Sequence, residues 1–306
     1  MKYSIIITAW KEPDTVRENL RAILEPTNLN LLPDSEIILV CPDDETYNSG
    51  LEMIQKYNFE DNFVYIKDPQ NGKPFALNLA FDKARGEILI CMDGDILVGK
   101  ESLQYLVTQL EENEKIGAVS GRPVSSDKKN TMLGYWGNLL ADAAHVKRLH
   151  EYSNGKDYFV SGYLFAMRKI DGFKVPEDIM SDDAWISLQL IMMDYKIGYS
   201  PNSYVYIKYA KNLKDWFAQK RRSAGGYVQL RKYLNYDMKS ILPKRNLVEE
   251  AKYFFFPLTY IKSFRQFIYS LLLYPARLLL WILIFYDKIR NQQSGKKIWS
   301  RIETTK

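Results

Sequence analysis

The sequence predicts an α/β protein: a mostly parallel sheet flanked by helices, followed by an apolar helical segment towards the C-terminus. Three observations carry that prediction. Through about residue 120, short apolar runs alternate with amphipathic stretches, the pattern of strands joined by crossover helices. The runs are apolar throughout their length, as buried strands are. From about Tyr253 the composition turns apolar and aromatic, unlike anything before it.

Strands are expected at YSIIITA (3–9), SEIILVC (35–41), NFVYIK (62–67), EILICMD (87–93) and IGAVSG (116–121). Between them, Asp14 is expected to cap DTVRENLRAIL, where Val16, Leu20, Ile23 and Leu24 share a face. KPFALNLAFDKARG reads as a helix stopping at Gly86 in a left-handed terminus. ESLQYLVTQLEEN sets Leu103, Leu106, Val107 and Leu110 on one stripe. Residues 131–210 are less periodic: TMLGYWGNLLADAAHVKRLHEY as helix, YFVSGYLFAMRK as strand, DDAWISLQLIMMDYK as a helix ending near Gly198, GYSPNSYVYIKY as strand. LKDWFAQKRRSAGGYVQLRKYL follows as a basic, aromatic helix. The boundary is expected at about 235, with residues 236–306 forming the helical appendage.

At 306 residues with 46% hydrophobic and 26% charged residues, the chain can bury a sizeable core. Its net charge of +5 is too mild to imply nucleic acid, yet suits anionic phosphates or an anionic membrane face. Two cysteines, Cys41 and Cys91, exclude a disulfide framework and leave a cysteine-type metal site short of ligands. MKYSIIITAW lacks the features of a signal peptide and is read as the first strand. His145 and His150 lie five apart, poorly spaced for joint metal binding on a helix.

Ligands of open parallel sheets bind beyond the carboxyl ends of the strands. Three strands here end in polar or acidic residues: TAWKE (8–12), CPDDE (41–45) and MDGD (92–95). Asp93 and Asp95, one residue apart, repel each other unless a cation lies between them, and a hard divalent ion with oxygen ligands serves that purpose. A plain Asp-Gly turn is the alternative. In QNGKPFALN (70–78), Lys73 opens a helix whose first amides favour anions, although first turns also carry ordinary exposed lysines. Asp182 and Asp183 in MSDDAWISLQL start another helix, and capping needs only one of them. QKRRSAGG (219–226) masses three cations, as a phosphate site or as a solvated basic face.

In their order, TAWKE, PDDE, NGKPFALN, MDGD, SGYLFAMR, SDDAWISLQL, GYSPNSYVY and QKRRSAGG resemble the family-2 glycosyltransferases of GT-A (Rossmann-like) fold. The branch containing cellulose and hyaluronan synthases is the nearest in pattern, and the resemblance covers about residues 3–230. It implies a metal-dependent enzyme moving a sugar from a nucleotide sugar, by preference a UDP-sugar over GDP-mannose, to a glycan or lipid-linked acceptor. By this resemblance Thr8, Ala9, Trp10 and Glu12 line the nucleobase and ribose pocket, with Asp43 or Asp44 as the family's first aspartate. Lys73 lies near the nucleotide; Asp93 and Asp95 hold Mg²⁺ or Mn²⁺ on the diphosphate, Asp93 touching ribose or metal. Asp183 matches the general base, Asp182 the acidic position before it, and Ser161, Gly162 and Tyr163 the acceptor-side segment. Gln219 and Arg222 match the Gln-x-x-Arg-Trp motif, but Ser223 stands where that motif has tryptophan. That departure, with too few apolar spans for a channel, speaks against processive polymer synthesis.

One base and one direct displacement imply inversion at the anomeric carbon. A nucleotidyltransferase, which also holds a metal on paired carboxylates, is the alternative class; it leaves Asp183 and QKRR without a role. A membrane-docked binding module without activity is a third, but it would not need every acidic position filled. In the tail, FIYSLLLYPARLLLWILIFY (267–286) is long enough to span a bilayer and carries a single charge, Arg277. Trp281, with Lys288 and Arg290 beyond the run, suits an interface. Pro275 and Arg277 in mid-run instead suit a kinked helix lying among headgroups, aided by Lys262 and Arg265. A packed core helix or dimer contact is the third reading. Either membrane reading faces the catalytic domain to the cytoplasm, where nucleotide sugars are made.

Overall fold

In the computed structural model, which describes residues 1–25, 30–156, 158–234 and 253–289, strands and helices alternate from the first residues onward. β1 (Tyr3–Thr8) leads to α1 (Pro13–Leu24), β2 (Ser35–Cys41) to α2 (Asp44–Lys56), and β3 (Phe63–Lys67) to α3 (Lys73–Lys83). β4 (Ile88–Asp93) and the short β5 (Ile96–Val98) precede α4 (Ser102–Glu112). Then come β6 (Ile116–Ser125), α5 (Met132–Ser153), β7 (Leu164–Arg168), α6 (Asp182–Met192), β8 (Lys196–Ile207) and α7 (Leu213–Leu230). α8 (Phe256–Thr259) and α9 (Phe264–Ile289) complete the described chain.

One sheet holds all eight strands in the order β3-β2-β1-β4-β7-β6-β8-β5. β3, β2, β1 and β4 run parallel. β7 then enters antiparallel to both β4 and β6, β6 pairs parallel with β8, and β5 closes the edge antiparallel to β8. The sheet is therefore mixed, parallel through β3, β2, β1 and β4 and again between β6 and β8. Alternate residues of β1 and β2 feed two cores. Ile5, Ile7, Ile37 and Leu39 meet Val16 and Leu20 of α1 and Leu106 of α4; Ile6, Ile38 and Val40 meet Leu77 and Ala80 of α3. Because both faces are covered, every residue of β1 and β2 is buried. A third cluster joins Tyr135, Trp136 and Leu139 of α5 to Trp216 of α7 and Leu273 and Leu280 of α9.

Local expectations fail where tertiary contacts intervene. Asp14 does not cap α1: Pro13, whose fixed φ suits the first turn, starts the helix, and Glu12 is the capping position. α3 ends at Lys83 with an extended Ala84, not at Gly86. Gly86 is instead pressed on β1, where a Cβ would fall 2.4 Å from the Tyr3 carbonyl carbon. α6 stops at Met192, and Gly198 lies inside β8. β7 is shorter than the run YFVSGYLFAMRK, whose first residues form the loop leading into it.

The N-terminal end of the sheet is tied by a buried carboxylate. Glu36, fully buried, accepts Ser4 Oγ at 2.6 Å, the Arg85 N–H at 2.6 Å and Arg85 Nε at 2.8 Å. Burial alone would raise its pKa, but those donors outweigh it and hold the carboxyl below its ordinary value. Its contribution to stability is thus complete above the ordinary carboxylate pKa and fades as pH falls towards the lower folded value. Glu36→Ala, which orphans the donors, should cost about 1–3 kcal/mol in denaturant unfolding at neutral pH, and the deficit should shrink in acid.

Candidate active site

The carboxyl ends of β1 and β4 meet in register: Thr8 lies opposite Asp93, and the Gly94 N–H donates to Thr8 O at 2.8 Å. The 8–12 loop therefore lies against the Asp93–Asp95 turn. Only glycine permits that approach, since a Cβ on Gly94 would fall 2.4 Å from Glu12 Oε2 and 2.5 Å from Ala9 Cβ. β2 adds a brace. Asp43 Oδ2 accepts the Lys11 N–H at 2.8 Å, its Oδ1 accepts Thr46 Oγ1 at 2.6 Å, and Thr46 Oγ1 accepts the Glu12 N–H at 2.9 Å. These donors hold the Asp43 carboxyl below its usual range against the opposing effect of burial. Asp44 is turned away on the surface, paired with Lys67 at 2.9 Å. Of the two aspartates left open by sequence, Asp43 faces the crevice loop. Trp10 is exposed at its rim.

Lys73 crosses the crevice. Gly72, at φ 98°, takes a backbone conformation that other residues avoid, and it turns the chain so that Lys73 opens α3. From there Nζ reaches Asp93 Oδ1 at 2.6 Å, Asp182 Oδ2 at 3.1 Å and the Gly162 carbonyl at 3.4 Å. The two carboxylates are ion-pair partners and the carbonyl a hydrogen-bond acceptor, each from a different segment. Burial opposes its charge, but Asp182 and Asp93 more than compensate and hold Lys73 protonated far above its ordinary range. Asp93 is raised as well, to about 6: burial is the largest cause, Lys73 opposes it, and the charge of Asp95 adds to the rise.

The far wall comes from β7 and α6. Because β7 runs opposite to β4, its entry lies beside the exit of β4, and the Asp93 N–H donates to Tyr163 O at 3.4 Å. Ser161 is held by its N–H on Ser120 Oγ at 2.9 Å. Asp183 Oδ2 accepts the Gly162 N–H at 3.1 Å and its Oδ1 the Ala184 N–H at 2.8 Å. Its pKa is raised, by burial first and by neighbouring Asp182 second. Gln229 of α7 positions this corner, accepting the Met180 N–H at 2.8 Å and donating to Asp178 O at 2.6 Å. Tyr163 is raised by burial, with Tyr209, Asp95 and Asp93 adding and Arg222 subtracting; Arg222 therefore acts electrostatically on this wall. Arg221 points elsewhere, to Asp287 of α9. Ser223 is exposed. His145 bonds Tyr199, Nδ1 to hydroxyl, at 2.7 Å.

Thr46 and Gln229 were not visible as site residues from sequence. Thr46 takes the Glu12 N–H and Gln229 ties Asp178 and Met180, partners far along the chain. Among the described residues, no group of three or more His, Cys, Asp or Glu side chains is arranged to hold a metal. Asp93 and Asp95 offer hard oxygen ligands, the donor type of an ion that keeps waters and shares substrate phosphates. Three buried polar atoms at expected site residues, Thr8 Oγ1, Asp182 Oδ2 and Gln219 Oε1, have no hydrogen-bond partner within the protein, although Asp182 Oδ2 is ion-paired with Lys73. Unsatisfied groups of this kind fit a crevice completed by a ligand.

Comparison with known proteins agrees with this geometry. Residues 4–171 match the family Glycosyl transferase family 2, and residues 88–286 match Glycosyl transferase family group 2. The chain is 27% identical over 317 aligned positions to the probable glycosyltransferase YdaM of Bacillus subtilis, covering 93% of this chain and 71% of that protein. It is 24% identical over 230 residues to a poly-beta-1,6-N-acetyl-D-glucosamine synthase of Staphylococcus epidermidis, covering 73% of this chain and 54% of the synthase. The chain thus spans about half of that relative's length. Among solved structures, a mannosyltransferase from Pyrobaculum calidifontis, in complex with GDP-Man and Mn²⁺, shares the fold. Its TM-score is 0.56 at 18% identity, with 97% of this chain and 84% of that one covered.

The opposed effects on Asp93 are measurable. Carboxyl ¹³C shifts of aspartate-labelled protein should show one aspartate titrating near pH 6. In Lys73→Met that titration should move upward, because the cation that favours the ionised form is gone. An unchanged midpoint would contradict the pairing.

Proposed function

Because the chain belongs to glycosyl transferase family 2, we propose that its crevice transfers a sugar, with inversion, from a nucleoside diphosphate sugar to a hydroxyl of a glycan or lipid-linked acceptor. One observation carries this reading. Lys73 joins Asp93 at the end of β4 to Asp182 at the start of α6, while Asp183 beside them accepts two backbone N–H bonds. A cationic, metal-competent wall thus faces a carboxylate held apart for proton transfer.

In the reaction, Asp183 takes the proton of the acceptor hydroxyl as its oxygen bonds to the anomeric carbon. On the opposite face, the bond from that carbon to the diphosphate oxygen breaks, and its electron pair leaves with the diphosphate. Single displacement inverts the centre. The raised pKa of Asp183 makes it a stronger proton acceptor, as a base near neutral pH requires. Lys73 and Arg222 meet the charge developing on the leaving group. Asp93 and Asp95 would hold Mg²⁺ or Mn²⁺, which supplies Lewis-acid stabilisation of the diphosphate. Thr8, Ala9, Trp10, Glu12 and Asp43 form the nucleoside side, and Ser161, Gly162 and Tyr163 border the acceptor. A UDP-sugar is the donor favoured by the likeness to the cellulose and hyaluronan branch, with GDP-mannose second. Family membership removes the nucleotidyltransferase alternative. The relative that is a polysaccharide synthase favours processive synthesis as a second reading; Ser223, exposed in place of an aromatic, speaks for few transfers.

The catalytic unit is proposed to end near 235, and the segment after it to attach the enzyme to the cytoplasmic face of a membrane. Part of that segment, residues 236–252 and 290–306 with Arg290, lies outside the described residues, as does the side chain of Lys288. α9 contains 24 residues, Phe264–Asp287, long and apolar enough to cross a bilayer. Yet one face is bound along the domain. Trp136 Nε1 donates to Tyr269 O at 2.7 Å, Tyr135 and Ser270 share a hydroxyl bond of 2.8 Å, and Arg221 pairs with Asp287 at 2.6 Å. Those ties are about 25 Å apart along the helix. The other face exposes Phe264, Phe267, Leu271, Leu278, Ile282 and Phe285. A helix strapped along a polar domain cannot also leave it to span lipid, so the interfacial form is the one proposed, with Lys262 and Arg265 beside it for anionic headgroups.

Two measurements test these readings. Asp183→Asn should lower turnover roughly 10²–10⁴-fold while nucleotide binding persists; normal turnover in Asp183→Asn with a dead Asp182→Asn would give the base to the neighbour. Full activity in excess EDTA would remove the metal. In fractionation, the full chain should pellet with membranes and be released by carbonate, whereas protein truncated near residue 250 should stay soluble. Resistance to carbonate would restore the spanning form, and a freely soluble full chain would defeat both.

A further inference from the structure

Lys73 is engaged more fully than a residue waiting for a nucleotide needs to be. Its side chain is only 17% exposed, and its ammonium already bonds Asp93 Oδ1, Asp182 Oδ2 and the Gly162 carbonyl. The bond to Asp93, at 2.6 Å, is the shortest of the three. Four carboxylates, Asp93, Asp95, Asp182 and Asp183, gather in this crevice, and their mutual influence is visible in the raised pKa values of Asp93 and Asp183. No three of them are arranged to hold a metal by themselves, so a divalent cation here depends on Asp93 and Asp95 together with ligand oxygens. Here one of the cluster's oxygens is already taken by a fixed positive charge.

We propose that Lys73 is a resident counter-ion that keeps Asp93 from binding a divalent cation alone, so that cation and nucleoside diphosphate bind as one unit. A cation bonded to the Asp93 carboxylate would sit within a few ångströms of Nζ, and two like charges at that separation in a poorly hydrated crevice repel strongly. A diphosphate changes the balance: its oxygens bridge both cations and offer Nζ acceptors in exchange for Asp93 Oδ1. The bonds to Asp182 and Gly162 explain why Lys73 stays in place without ligand. They also connect the donor side to the wall that carries Asp183, so the exchange at Asp93 is felt there. By linkage, whatever the diphosphate adds to cation affinity, the cation adds equally to diphosphate affinity.

The inference rests on Asp93 and Asp95 as the metal pair, and the experiment separates the two claims. Mn²⁺ binding to the full chain is followed by electron paramagnetic resonance at pH 8, above the Asp93 titration, with and without UDP. In the wild type, UDP should tighten Mn²⁺ binding within the range usual for coupled sites, about 5–150-fold. Lys73→Gln should bind Mn²⁺ alone more tightly than the wild type, and its UDP enhancement should fall towards unity. Lys73→Arg, which keeps the charge, should retain the wild-type coupling. No Mn²⁺ binding to the wild type even with UDP would overturn the metal pair and this inference together. UDP-dependent Mn²⁺ binding in the wild type, with metal-only affinity unchanged in a Lys73→Gln protein of normal melting temperature, would overturn this inference alone. Independent binding of Mn²⁺ and UDP to the wild type would overturn it without any variant.

Discussion

The three bonds of the Lys73 ammonium hold the active crevice together. They join the end of β4, the entry to β7 and the first turn of α6; the first and last of these bring acidic residues that would otherwise repel one another. A buried carboxylate cluster is tolerable only with compensating charge. The carboxylates gathered here repel one another, and Lys73 offsets that cost. Its position follows from Gly72, whose positive φ lets α3 begin with its first side chain aimed inward.

Sheet topology decides what Lys73 can reach. In the parallel half, β1 and β4 finish side by side and deliver Thr8 and Asp93 to one edge. A further parallel neighbour would have ended there too, adding another nucleotide-side loop. β7 instead starts at that edge, because it runs antiparallel to β4. The chain therefore enters the crevice at Ser161–Tyr163, and Asp183 reaches Gly162 across a short gap. Asp93 and Asp183 come to one crevice because of one reversed strand.

α9 obeys a different constraint. Its Ser270 hydroxyl and the Tyr269 carbonyl lie on the side that meets Tyr135 and Trp136, where aromatic donors satisfy them. The opposite side carries large apolar residues facing outward. A core helix would be covered on both sides, and α9 is not. Its exposed apolar face, with Lys262 and Arg265 nearby in the chain, is the surface through which membrane attachment is proposed.

Most of the secondary-structure elements could be read from the chain's apolar patterning alone. Continuous apolar runs can only be satisfied as doubly covered strands, so β1, β2 and β4 were legible, as was the amphipathic stripe of α4. That Asp93 and Asp95 would need a compensating cation followed from paired like charges at a strand end; that Lys73 supplies one to Asp93 did not. Tertiary structure alone decided the rest. The turn of β7 against β4 follows from how the sheet closes, which no local period encodes. The choice of Asp43 over Asp44 rests on donors from Lys11 and Thr46 that converge only in the fold, and Gly86 and Gly94 owe their presence to backbone and side chains that are distant in sequence. Periodicity records which face of an element is dry; it does not record which other element dries it, and the site is made of those meetings.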